Sequence, residues 1–126
     1  MRILHIAPLI CSAFIAAPAL ADGHHSCGAL PALPAMFDVD KATVEEVKLV
    51  AAEYKAYQDE NTNYIDCLKE TAKSDAIQGL AKKERKKMMD KLDQDLDQTV
   101  KNEQLFADAF NDNVGKWREK QLAATQ

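Results

Sequence analysis

Apolar residues recur along the chain with two clear helical stretches separated by a polar, glycine-bearing break. From Val47 onward, Val47, Val50, Tyr54, Tyr57, Asn61, Tyr64 and Leu68 follow one another at alternating spacings of three and four. That is the a/d seam of a heptad, the period a helix needs to keep one face against a neighbour. Thr43-Val44-Glu45-Glu46 supplies a capping box at its start, with Thr43 and Glu46 able to satisfy each other's free backbone N–H groups. A second seam reads Met89, Leu92, Leu96, Thr99, Glu103, Phe106, Phe110, Asn113 and Trp117, widened by Val100, Leu105 and Val114. Asn61 stands at a seam position, where it either fixes register or faces solvent at the stripe's edge.

Between the seams the helical pattern weakens over residues 71–79. Ser74-Asp75 is a natural N-cap pair, and Gly79 is a poor residue for a helix interior. The run Lys82-Lys83-Glu84-Arg85-Lys86-Lys87 suits a first turn badly, because the helix dipole favours acids there. The second helix is therefore expected to begin near Ser74 or Asp75, with a kink at Gly79. Gly115 is expected to let its end fray, leaving residues 123–126 as a tail.

The N-terminus reads as an export signal. Arg2 is followed by a nearly unbroken apolar run, Ile3 to Ala17, and then by Ala19-Leu20-Ala21, a small-x-small cleavage site. The run is short for a bilayer span of about 20 residues. The expected product after Ala21 is a periplasmic chain with no transmembrane segment. Removing 21 of 126 residues leaves 105, one small domain. Only Arg2 leaves the charge count of 16 basic and 20 acidic residues, so the net charge moves from −4 to −5. A mildly acidic chain with no basic face argues against nucleic-acid binding.

Cleavage also removes Cys11 and leaves two cysteines, Cys27 and Cys67, in an oxidising compartment. A bridge between them is the first expectation, with two free thiols or an intermolecular bridge as alternatives. A zinc site is weaker, since His24 and His25 precede Cys27 without a second ligand cluster. Chain lengths fit an intramolecular staple. Cys27 to Asp40, carrying Pro31 and Pro34, would reach about 40 Å as polyproline II. Helix 1 from Cys67 back to Thr43 would span about 36 Å. The segment would run antiparallel along helix 1, Leu30, Leu33 and Met36 would enter the groove, and Phe37 would approach Phe110 and Trp117. The expected fold is all-α: an antiparallel two-helix hairpin (residues 43–122) with an extended Pro-containing segment (22–42) stapled to helix 1 by a disulfide.

A cysteine before Pro31-x-x-Pro34, then Tyr64-Ile65-Asp66-Cys67-Leu68 and Phe110-Asn111-x-x-Val114, resembles a group of small exported proteobacterial helical proteins of uncharacterised function. The resemblance implies a shared helical fold and disulfide, and no activity.

Candidate chemistry is sparse. The new terminus Asp22-Gly23-His24 has the amine, two amides and third-position imidazole that wrap square-planar Cu(II) or Ni(II), and His25 could add a ligand. Asp93, Asp95 and Asp97 have EF-hand spacing. The sixth position is Gln98 and the twelfth Gln104, however, and Leu92 and Leu96 keep helical period through the stretch, so a solvated helix face is the better reading. The basic run at Lys82–Lys87 could meet an anionic partner, but more often is a wet helix face. There is no nucleophile with a base, no Gly-rich phosphate loop and no haem motif. Tyr54, Tyr57 and Tyr64 belong to the core. A non-catalytic binding, scaffolding or envelope-stress protein is expected, acting through its helical seam on a partner or a second copy. Periplasmic Cu(II)/Ni(II) binding and holdase-type chaperoning are the alternatives.

Overall fold

A computed structural model describes residues 25–126. The fold is all-α, and no strand occurs among the described residues. Among the described residues there are three helices rather than two: α1 (Val44–Lys73), α2 (Asp75–Gln78) and α3 (Lys82–Ala124).

Helix α1 starts where the capping box requires. The Glu46 N–H donates to Thr43 Oγ1 at 3.2 Å, and the Thr43 N–H to Glu46 Oε2 at 2.7 Å. It ends at Ser74, whose ψ of 148° turns the chain out while its Oγ donates to the Thr71 carbonyl at 2.7 Å.

The second helix begins later than its sequence suggested. Asp75–Gln78 forms a single separate turn, and Gly79 closes it with its N–H on the Asp75 carbonyl at 2.8 Å. A Cβ at Gly79 would lie 3.0 Å from that carbonyl, so the close approach accounts for glycine here. The chain then unwinds through Leu80-Ala81, and α3 opens on the basic run. That arrangement is tolerated because Glu84 shares the first turn and Lys82, Lys83, Lys86 and Lys87 stay in water, which screens the dipole. Arg85 turns back to donate to the Gln78 carbonyl at 3.0 Å, tying α3 to α2. At the far end α3 passes through Gly115 to Ala124, so half of the expected tail, Ala123 and Ala124, is helical.

α1 and α3 lie antiparallel. Ala42 stands level with Trp117, whose Nε1–H donates to its carbonyl at 2.9 Å. Tyr54 meets Phe106 at a ring-centroid distance of 5.0 Å, and Asn61 Nδ2 donates to Glu103 Oε2 at 2.6 Å. All seven α1 seam residues are buried or half-buried, as are all nine of α3. The expected flanks fail in part. Val114 is half-buried, but Val100 and Leu105 are 54 % and 62 % exposed, because the core faces the other side of α3 and takes in Met88 and Asp95 instead.

The core divides in two. Tyr64, Leu68, Ile77, Met88 and Leu92 form a cluster at the α2 end. Phe37, Val50 and Phe106 form another at the open end, with Tyr54, Phe110 and Trp117 packed against them. A polar layer separates the clusters. Asn61 is fully buried there, and Thr99 donates to the Asp95 carbonyl at 2.6 Å. The Asn61 amide therefore faces α3 rather than solvent. An amide–carboxylate pair buried at one level disfavours sliding of the helices past each other.

Residues 25–42 cross this seam without regular structure. The Cys27–Cys67 disulfide, with Cα atoms 5.8 Å apart, fixes the upper end, where Gly28 takes φ +80°. Leu30 packs on the α2-end cluster and Met36 on the other. Phe37 meets Phe110 edge-on at 6.2 Å. Leu33 departs from expectation at 43 % exposure and belongs to neither cluster.

On the loop-entropy account, a bridge across 40 residues contributes about 4 kcal/mol. The Cys27→Ala/Cys67→Ala double variant should lose about that much in urea unfolding. Its Trp117 emission should shift to the red before global unfolding as the segment lifts; unchanged stability would contradict the staple.

Candidate functional site

Two features stand out once the helices are in place: a buried charged cluster beneath the N-terminal segment, and an apolar groove on the side that segment leaves bare.

The cluster is built from α3 and the first described residues. His25 Nε2 lies 2.7 Å from Asp95 Oδ2, with their side chains 3 % and 9 % exposed. The Cys27 N–H donates to His25 Nδ1 at 3.3 Å, so the ring carries its proton on Nε2 and gives it to the carboxylate. Lys91 Nζ donates to Asp95 Oδ1 at 2.5 Å, and Tyr64 lies beside the imidazole with ring centroids 6.1 Å apart. Burial pushes the Asp95 carboxyl up. The hydrogen bonds of Lys91 and His25 and the Lys91 charge outweigh it and hold the group below the ordinary carboxylate value. Burial first, then the Asp95 charge, raises the Tyr64 phenol. Burial and Glu103 raise Tyr54 and Tyr57 in the same way, so all three phenols stay protonated at neutral pH.

The cluster is a fastener. Both Asp95 oxygens and both His25 nitrogens are engaged within it. The Cys27 and Cys67 sulfurs sit near the Thr71 hydroxyl, at 3.3 and 3.9 Å, and are tied up in the disulfide.

Asp22, Gly23 and His24, the candidate copper or nickel ligands, lie outside the described residues. His25, the candidate additional ligand, is committed to Asp95 and the Cys27 amide and could join a metal only by leaving them. Among the described residues, no group of three or more His, Cys, Asp or Glu side chains converges as a metal site. Asp93, Asp95 and Asp97 are separated by the helix, Asp95 turning inward and its two neighbours outward. No described helix is long and apolar enough to cross a membrane.

The groove lies between α1 and α3 on the face opposite residues 25–42. Towards the α2 end, Leu68, Ala72, Met89, Leu92 and Leu96 line a cleft of about 390 Å³, edged by Lys69 and Asp93. Val100 continues it one turn on, with Ile65 half-buried across from it on α1. Nothing in the pattern of the seams could tell which of their two edges the N-terminal segment would cover. The groove therefore emerges only from the folded chain.

Compared with known proteins, the chain matches no family model, no curated protein and no solved structure.

Asp95 gives a signed pH prediction. Its folded-state pKa is lowered, so its contribution is present above the unfolded carboxylate range, near pH 4, and is lost as pH falls through the folded value. Asp95→Asn should destabilise the protein by about 2–4 kcal/mol at pH 7 and by much less at pH 2. Urea unfolding at the two pH values checks this, and an equal loss at both would contradict it.

Proposed function

We propose that this is an exported, periplasmic, non-catalytic binding protein that acts through the uncovered groove of the α1–α3 pair. The observation that carries the reading is the one-sided cover of the seam. Residues 25–42 seal one edge with Leu30, Met36 and Phe37, while Met89, Leu96 and Val100 line the other edge unsealed. Single exposed apolar residues such as Leu49 and Leu122 are ordinary on a protein surface. A continuous apolar strip with charged rims is the usual form of a helix-docking groove.

Export is supported by the apolar run Ile3–Ala17 with its small-residue site, and by the Cys27–Cys67 bridge, which persists only where oxidants keep it. A non-catalytic reading is supported by the mutual satisfaction of His25, Lys91 and Asp95, a cluster among the described residues that resembles a reactive constellation. What remains for function is surface.

A photocrosslinking residue in place of Val100 should form adducts in the periplasm of expressing cells. The same residue in place of Leu49, equally apolar and exposed but on the other flank of α1, should not. Equal labelling from both positions, or none from position 100, would overturn the groove as the working surface.

A further inference from the structure

The two walls of the groove carry opposite charge. Beside the apolar floor on the α1 side, Lys48, Lys55 and Lys69 share one heptad position with Thr62 between them, and Lys73 shares the next position outward with Asp59 and Asp66, so the charge of this wall is positive on balance. The corresponding flank of α3 bears Asp90, Asp93, Asp97 and Asp108, with Lys101 among them. All of these side chains are exposed. Lys69, Asp93 and Asp97 take no part in the ion pairs among the described residues. Lys55, Lys73 and Asp90 hold only local partners within their own helices.

We propose that the occupant of the groove is a second copy of this chain, docked groove to groove about a two-fold axis parallel to the helices, to make a four-helix bundle. This rests on the groove being the working surface and names what fills it. An axis in that direction places α1 of one copy over α3 of the other, antiparallel and at the same level. The levels are set by the contacts within one chain: Ala42 with Trp117, Tyr54 with Phe106, Asn61 with Glu103. Stepping along the helices from these, Lys55 falls level with Asp108, Lys69 with Asp93 and Lys73 with Asp90, while Asp66 falls level with Asp97. The wall with more lysine meets the wall with more aspartate at three opposite-charge levels against one like-charge level, twice over by symmetry. The other face-to-face axis, perpendicular to the helices, would lay lysine wall on lysine wall and aspartate wall on aspartate wall.

The floor fits the same partner. Met89, Leu96, Val100, Ala107 and Val114 form a second stripe along α3, and Val47, Ala51, Ile65 and Ala72 accompany it on α1. These are small and medium side chains that let two helix pairs approach closely. A face about 45 Å long, the length of α1, and about 20 Å across offers about 900 Å² per copy. A stable interface needs about 800 Å² per partner. The arrangement places both Lys82–Lys87 corners at one end of the bundle, where they remain in water and screened.

Sedimentation velocity of the purified chain beginning at Asp22 tests this. The wild type should sediment at twice the chain mass at micromolar concentration. Lys69→Glu and Asp93→Lys should each weaken the dimer by about tenfold or more, since each introduces two like-charge contacts. The double reversal K69E/D93K should recover most of the lost affinity. A wild type that is monomeric at 100 micromolar, or reversals that do not compensate, overturns the second-copy proposal. Adducts from position 100 to other proteins, with a monomeric wild type, would leave the groove as a docking surface and assign it a different occupant.

Discussion

The Cys27–Cys67 bond is the constraint on which the rest of the molecule depends. Two helices alone share a single line of contact and leave both edges of their seam wet, so the pair supplies only part of the burial that a covered edge adds to. The bond fixes a third strand of chain along one edge. Once Cys27 is held at Cys67, His25 is delivered to Asp95, Leu30 to the α2-end cluster, and Phe37 to Phe110 at the other end. The segment needs no secondary structure of its own because both of its ends are fastened, by the disulfide above and by the Trp117–Ala42 hydrogen bond below.

That fastening has an electrostatic price set by burial. Asp95 turns into the core of an otherwise apolar face, and it is acceptable there only because Lys91 from its own helix and His25 from the segment both donate to it. The same logic governs Asn61, whose amide is answered by Glu103 while its carbonyl oxygen has no partner among the described residues. These two polar points divide the core and tie register to charge. They also make the covered face specific, leaving the uncovered face as the simpler, apolar one.

Much of the architecture was legible in the residues themselves. The heptad of α1, its Thr43–Glu46 capping box and the reach of the Pro31–Pro34 segment each follow from local rules of spacing and length. What escaped was tertiary. The sequence hides the start of α3 because Gly79 closes a separate turn, and because exposed lysines tolerate a first turn that the dipole disfavours. It hides the inward turn of Asp95, between outward-facing Asp93 and Asp97, because that turn depends on His25, seventy residues away in sequence. The open groove depends on the side of the seam that the segment crosses, and the spacing of either helix is silent on that choice.

Amide hydrogen exchange with and without reductant probes the stapled cover most directly. With the disulfide intact, amides of residues 25–42 should exchange slowly wherever they are hydrogen-bonded or covered, the Cys27 and Ala42 amides above all. On reduction, exchange across the segment should rise by orders of magnitude, while the α1–α3 amides keep most of their protection. Protection of residues 25–42 that is indifferent to reductant, or lost from the segment and both helices together, would contradict the account.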